Sequence, residues 1–409
     1  MKSFFQCLEG FDARLKKTSF FILLTYFLAL FSYPLVRSAT GAIFYDVYTA
    51  NDYSFASFIG VLVLMVMISI NNYLQSKIGV HKLYLTTGIL SIVTLLVGYI
   101  GYKMGFKQMA YVIFAAKEAY IVLLVHICLA FANSTYNLEQ FKRLIGPIGA
   151  VGSIGGIIGG QLTSYLASTY NTEIVFMVSL LIILFTVLAF YFTGDISHAQ
   201  LEVTNRSITP IRAIRGVKKY VFLIGAVVAL SQFVIFIADL QFNMVFEKVI
   251  TIKDERTAYF GQFYSYVNIV ALFLQFMVLP FLLVRVKLRS IFLFIPLFYF
   301  ILVFGGLSFG AGSLYIVGSV FVSMKGIDYS LFAAVKDIMY HPLLSLQKFG
   351  AKYITDMFVY RVSKALIAFT MAQIAISDMK ILTQLQFVFL FLWGIVILFL
   401  FKEQKKLKH

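Results

Sequence analysis

The apolar residues of this chain run in blocks of about 20, the length that carries an α-helix across a hydrocarbon core. Twelve blocks can be marked, at roughly 18–36, 55–75, 83–102, 108–132, 144–168, 173–193, 219–246, 258–284, 290–308, 312–334, 349–376 and 381–401. Short polar turns separate most of them. The longest connection, "TGDISHAQLEVTNRSITPIRAIRGVKK", lies between the sixth and seventh. The pattern predicts an all-α polytopic membrane protein with twelve transmembrane helices.

Composition agrees with that class. Hydrophobic residues make up 61% of the 409 and charged residues 13%, with a mean hydropathy of +0.90. A soluble domain holds about 45–50% apolar and about 25% charged residues. The opening "MKSFFQCLEGFDARLKK" has no long apolar region followed by a small-residue cleavage site, so no signal or transit peptide is expected. Its Phe4, Phe5, Leu8, Phe11 and Leu15 share one helical face, which predicts an amphipathic segment over 1–17 lying in the headgroup region. Cys7 and Cys128 have the spacing of neither a metal site nor a disulfide framework, and neither a metal nor a cofactor is expected.

The net charge of +16 raises nucleic acid as a partner until the charges are placed. Of the 34 Lys and Arg residues, 22 fall in the N-terminal segment, the loops after even-numbered spans and the tail "KEQKKLKH". Only 6 fall in the opposite loops. The positive-inside rule then places both termini in the cytoplasm, and the chain in a plasma membrane (in a bacterium, the inner membrane). Most of the basic surplus is orientation, and no nucleic acid is expected.

Six spans, a basic connection and six more suggest two related halves. "KKTSFFILLTYFLALFSYPLVRSATGAIF" from Lys16 and "KKYVFLIGAVVALSQFVIFIADLQFNMVF" from Lys218 align at an offset of 202, matching Phe44 with Phe246 and setting Arg37 opposite Asp239. The expected organisation is an N-terminal segment 1–17, a six-helix bundle 18–193, a basic linker 194–218, a second bundle 219–401 and a basic tail 402–409. Parallel six-helix repeats around a mid-membrane site are the design of the major facilitator superfamily. "NNYLQSKIGVHKLYL" resembles the cytoplasmic loop motif of that superfamily through Leu74, Lys77, Gly79 and Lys82, with Asn72 and Ser76 where the motif has glycine and aspartate. The fifth span repeats glycine at 146, 149, 152, 155, 156 and 160. That spacing suits close helix packing, and "GPIGA" resembles an incomplete exporter motif.

A narrower likeness covers about a fifth of the chain. "FANSTYNLEQFKRLIGPIGAVGS" is similar to a stretch of the ATP/ADP translocases through Phe131, Ala132, Asn133, Glu139, Lys142, Arg143, Pro147 and Gly149. "YSLFAAVKDIMYHPLLSLQKFGAKYITD" resembles another stretch through Tyr329, Ser330, Leu331, Phe332, Lys336, Asp337, Tyr340, Pro342, Lys348 and Asp356. The resemblance implies a nucleotide-type transporter and adds Lys336 to the substrate-binding candidates. Thr40 and Gly41 stand where that family has a lysine and an acid, which argues against strict ATP/ADP exchange.

Charges inside spans cost several kcal/mol and mark pairs or substrate paths. Lys117 and Glu118 are adjacent and about 100° apart on a helix, so each is expected to find its partner on another helix. His126 reads as a hydrogen-bonded core histidine or as a proton-coupling group, with Glu118 and Asp239 as further proton candidates. Lys352 and Asp356, at i,i+4, can neutralise each other. Arg361 and Lys364 share a face without a local acid in register. They point to an anion, or else pair with Asp239 or Asp328.

The substrate-binding candidates are Arg37, Lys117, Glu118, Lys336, Arg361 and Lys364. The candidates for gating or charge pairing are Arg37, Asp239, Lys352 and Asp356, with Arg37 and Asp239 pairing across a cavity in one state. The expected function is secondary active transport of an organic anion, phosphorylated or nucleotide-like, by exchange or an ion gradient. Alternatives are proton-coupled export of a small hydrophobic or chelating compound, a membrane acyltransferase and a membrane sensor. No nucleophile or carboxylate pair accompanies His126, so no enzyme is expected. A monomer is expected in the bilayer, with a small anion as its partner.

Overall fold

The structure is a computed structural model that describes residues 11–194, 210–374 and 378–407. The described residues form twelve long helical runs. The first six are α1 (Ala13–Val47), α2 (Ala50–Ile78), α3 (Val80–Lys103), α4 (Met109–Thr135), α5 (Leu138–Thr169) and α6 (Thr172–Tyr191). After a short turn of helix at Pro210–Ala213 come α7 (Lys218–Val249), α8 (Lys253–Arg285), α9 (Leu288–Gly310) and α10 (Leu314–Met339). The run α11 is built from Ser345–Lys352, Tyr353–Val359 and Tyr360–Ile374, and α12 is Met379–Lys406. Eleven of these are long and apolar enough to cross a membrane. The exception is α11, which carries Lys348, Lys352, Asp356, Arg361 and Lys364.

Helix ends follow local chemistry. Asp12 caps α1 by accepting from the Leu15 amide at 2.6 Å. Asn137 and Gln140 form a reciprocal capping box at the start of α5, with bonds of 2.9 and 3.1 Å. Gly79 and Gly105, at φ of 78° and 90°, make the tight turns into α3 and out of it. Residues 13–17 belong to α1 itself, and residues 1–10 lie outside the described residues. Most of the linker also lies outside them. The α1 helix runs well past the predicted end at 36. Its polar "RSAT" stretch stays helical because Thr40 Oγ1 donates to the Val36 carbonyl at 2.7 Å, satisfying the hydroxyl within the helix.

Four π-helical segments interrupt α8 to α11: Leu274–Val278, Val303–Leu307, Asp328–Phe332 and Tyr353–Val359. The first precedes Pro280, which has no N–H to offer an i−4 carbonyl, and the Leu279 amide bonds back to Leu274 instead.

The chain divides into two compact units. The first comprises α1, α2 from Leu62, α3 to α6, and Ile250–Asn268 with the opening of α8. Within it α1 packs on α4, α5 and α6, while α3 packs on α4 and α6. Tyr84 stacks on Phe190 at 3.8 Å and Tyr99 on Phe176 at 4.7 Å. The glycines of α5 are contact surfaces. A Cβ at Gly159 would stand 2.1 Å from the Phe31 carbonyl oxygen, and one at Gly160 2.6 Å from that of Gly261. The second unit comprises Thr49–Val61, α7, α8 from Ile269, and α9 to α12. There α7 packs on α10, α11 and α12, and Trp393 meets Tyr299 and Phe332 edge-on.

Candidate functional site

In the first unit, Arg37 sits on α1 one turn past Tyr33. Its Nη1 donates to the Tyr33 hydroxyl at 2.9 Å, and its guanidinium carbon lies 4.2 Å over the Tyr264 ring. An aromatic face stabilises a desolvated cation by about 2 kcal/mol, so this arginine is oriented as well as charged. On α4, Lys117 is buried (4% exposed). Its Nζ lies 3.4 Å from the centre of the Phe114 ring and 3.9 Å from Glu118 Oε1. The adjacent pair therefore does meet, contrary to the expectation from helical angle. The four-carbon lysine stem folds over Phe114 and spans the offset. His126 is exposed beside buried Ile127 and Cys128, so it is not a core histidine. One residue along a helix turns about 100°, enough to carry it off the buried face. The buried imidazole is His81, stacked on Phe190 at 5.4 Å.

Sequence reasoning missed a polar clasp at the loop ends of this unit. Glu173, at the start of α6, accepts from Lys103 and Lys253, both at 2.7 Å. Asp254 Oδ1 accepts from the Thr172 amide at 2.7 Å and from its hydroxyl at 2.6 Å. The clasp joins α3, α6 and the start of α8. Short connections such as "YNTE" and "TIKDER" carry these charges without revealing which strokes of the chain they join.

In the second unit, Asp239 is buried (6% exposed) on α7. It accepts from the Tyr53 hydroxyl at 2.8 Å and from Asn243 Nδ2 at 2.9 Å. Tyr53 was not among the sequence candidates. Lys352 and Asp356 do not neutralise each other. Asp356 Oδ1 pairs with Lys336 on α10 at 2.8 Å, and Lys352 pairs with Asp337 at 3.2 Å. Each helix presents one lysine and one aspartate, and exchange between the helices satisfies all four. Tyr340 donates to Asp356 at 3.0 Å, and burial together with that carboxylate pushes the Tyr340 hydroxyl well up from its ordinary range, so it stays a donor.

Arg361 differs from these cations. Its Nη1 donates to the Met357 carbonyl at 2.8 Å and more distantly to that of Asp356 at 3.4 Å. Its Nε is buried without a hydrogen-bond partner. Neither Asp239 nor Asp328 pairs with it, and among the described residues no carboxylate does. Lys364 is half-buried one turn on.

Eleven apolar spans plus a charged twelfth run accord with the sequence comparison. The Major Facilitator Superfamily profile matches residues 18–341, most of the chain. The chain belongs to the major facilitator superfamily. Solved structures of the same fold include the nucleoside transporter NupG, with 12% identity, a TM-score of 0.70 and coverage of 94% of this chain and 99% of that one. A mutant of NupG gives 12% identity and a TM-score of 0.72 over 94% and 100% of the two chains. A bacterial homologue of the iron transporter ferroportin, in an inward-facing state, gives 13%, 0.70 and coverage of 94% and 99%. No curated protein matches the sequence. At such identities the structural likeness establishes the fold alone. As a superfamily member the chain is a multi-pass membrane transporter.

Proposed function

We propose that this transporter moves an organic anion, phosphorylated or nucleotide-like, by secondary active alternating access in a bacterial inner membrane, with both termini cytoplasmic. The observation that carries the anion is Arg361. A guanidinium held by backbone carbonyls, with a buried Nε unmet and, among the described residues, no carboxylate beside it, is a costly arrangement that a bound anion relieves. Arg37 on its tyrosine pair, Lys117 with Glu118, Lys336 and Lys364 are the supporting groups. The resemblance of "FAN…EQFKR" and "YSLF…KD" to nucleotide translocases makes nucleoside phosphates the first ligands to test. The nucleoside transporter among the fold neighbours favours the same choice.

Thermal stabilisation of the purified protein by anions, neutral nucleosides and cations tests the reading, since a ligand that binds the folded state raises its melting temperature by mass action. Anions should stabilise it, and Arg361→Lys should weaken them by about tenfold, because a point charge replaces a bidentate fork. Best stabilisation by neutral or cationic compounds, or anion binding indifferent to Arg361, would sink the proposal.

Proton-coupled export is the second reading, and Asp239 favours it. A carboxylate buried inside a span, held by Tyr53 and Asn243, marks an ion or substrate path. Glu118 and His126 are its companions in that reading.

A further inference from the structure

The turn between α8 and α9 carries Arg285, Lys287 and Arg289, all exposed. The α8 helix ends at Arg285 and α9 begins at Leu288, with Val286 (φ −118°, ψ 136°) and Lys287 (φ −59°, ψ 136°) extended between them. So short a turn crowds the three charges at one tip. Among the described residues no carboxylate pairs with any of them. Lysines at the neighbouring ends of the second unit are treated differently. Lys352 meets Asp337 at 3.2 Å where α10 gives way to α11. Lys219 and Lys406 meet Glu403 at 3.4 and 3.2 Å where α7 begins and α12 ends. Charge that serves orientation alone is counted over whole loops and needs no such crowding. Beside the cations the two helices are apolar and open. Phe281, Leu283 and Val284 on α8 and Phe294 and Leu297 on α9 are exposed, Val284 to 85%. The guanidinium carbon of Arg285 lies 4.3 Å over the Phe281 ring. That contact lays the arginine along the apolar flank and leaves its N–H edge open to an acceptor.

We infer that the α8–α9 turn binds the phosphate headgroup of an anionic phospholipid, whose acyl chains lie along the exposed flanks of the two helices. Both helices are long and apolar enough to cross a membrane, so their shared turn stands at a headgroup layer. Basic clusters at that depth recognise acidic headgroups. An arginine fork meets two phosphate oxygens at once, and a lysine adds a mobile point charge. A soluble polyanion would match the charge but leave the apolar flanks unused. The choice of the cytoplasmic leaflet rests on the orientation proposed above. The site itself depends neither on that orientation nor on the transported substrate.

Native mass spectrometry of the full-length, delipidated protein in detergent, titrated with phosphatidylglycerol or phosphatidylcholine, tests the site. Phosphatidylglycerol should bind about tenfold more tightly than phosphatidylcholine. Arg285→Gln, Lys287→Gln and Arg289→Gln together should remove that preference. The same loss of charge in the exposed tail, through Lys402→Gln, Lys405→Gln and Lys406→Gln, should preserve it. Inorganic phosphate, which brings the charge without acyl chains, should not displace the lipid at equal concentration. Equal binding of the two lipids, equal losses from the two triple variants, or displacement by inorganic phosphate would overturn the proposal. If the turn variant does not fold, hydrogen exchange of the wild-type protein in nanodiscs decides instead. Phosphatidylglycerol in place of phosphatidylcholine should slow exchange at the amides of Leu288 and Arg289, and unchanged rates there overturn the proposal equally. Either failure leaves the anion reading of Arg361 intact, because that reading is measured with soluble ligands at another residue.

Discussion

Arg361 and Lys336 are both cations of the second unit, and among the described residues only Lys336 has a carboxylate. Lys336 lies 2.8 Å from Asp356, while Arg361 meets main-chain oxygens. The difference was half legible in the sequence: the i,i+3 spacing of Arg361 and Lys364 showed no acid in register, but nothing in it showed that Asp356 would turn to α10. Asp356→Asn should destabilise the protein, since it leaves Lys336 without its anion. A double-mutant cycle with Lys336→Met should give a coupling of about 1 kcal/mol, the scale of a partly screened pair. No coupling in thermal or denaturant unfolding would mean that the pair is incidental.

At the level of elements, glycine in α5 separates into two classes that the sequence prints alike. Gly159 and Gly160 touch backbone of other segments, whereas Gly146 and Gly149 face open space. Gly159→Ala should lower the melting temperature, corresponding to about 1–3 kcal/mol of overpacking. Gly149→Ala should leave it unchanged or raise it slightly, because alanine favours helix by about 1 kcal/mol. Equal effects from the two would contradict the close crossing of α5 with α1. The clasp on Glu173 offers another test. Glu173→Gln weakens two charge-assisted bonds at once, so hydrogen exchange at the start of α8 should accelerate by about tenfold or more. Unchanged protection there would assign the hold on α8 to the glycine contact of Gly160 with Gly261 instead.

For the whole molecule, the basic asymmetry of the loops gives an orientation that labelling can check. In a background with Cys7 and Cys128 replaced by serine, a cysteine at Lys107 should react with an impermeant reagent outside intact cells, and one at Lys82 should not; both positions are exposed in the structure. The reverse pattern would turn the molecule over in the membrane. The sequence by itself determined the class, the number of long helices, their approximate limits and the superfamily. These depend on runs of apolar residues and on charge counts, quantities that add along the chain because each span must satisfy its own backbone in lipid. Only the tertiary structure decided which carboxylate each lysine takes, that Lys117 folds back to Glu118, that His126 lies off the core, and where π-turns widen α8 to α11. Those outcomes hang on distances of a few ångströms between residues far apart in the chain, and competing partners of equal charge look the same until the helices are packed.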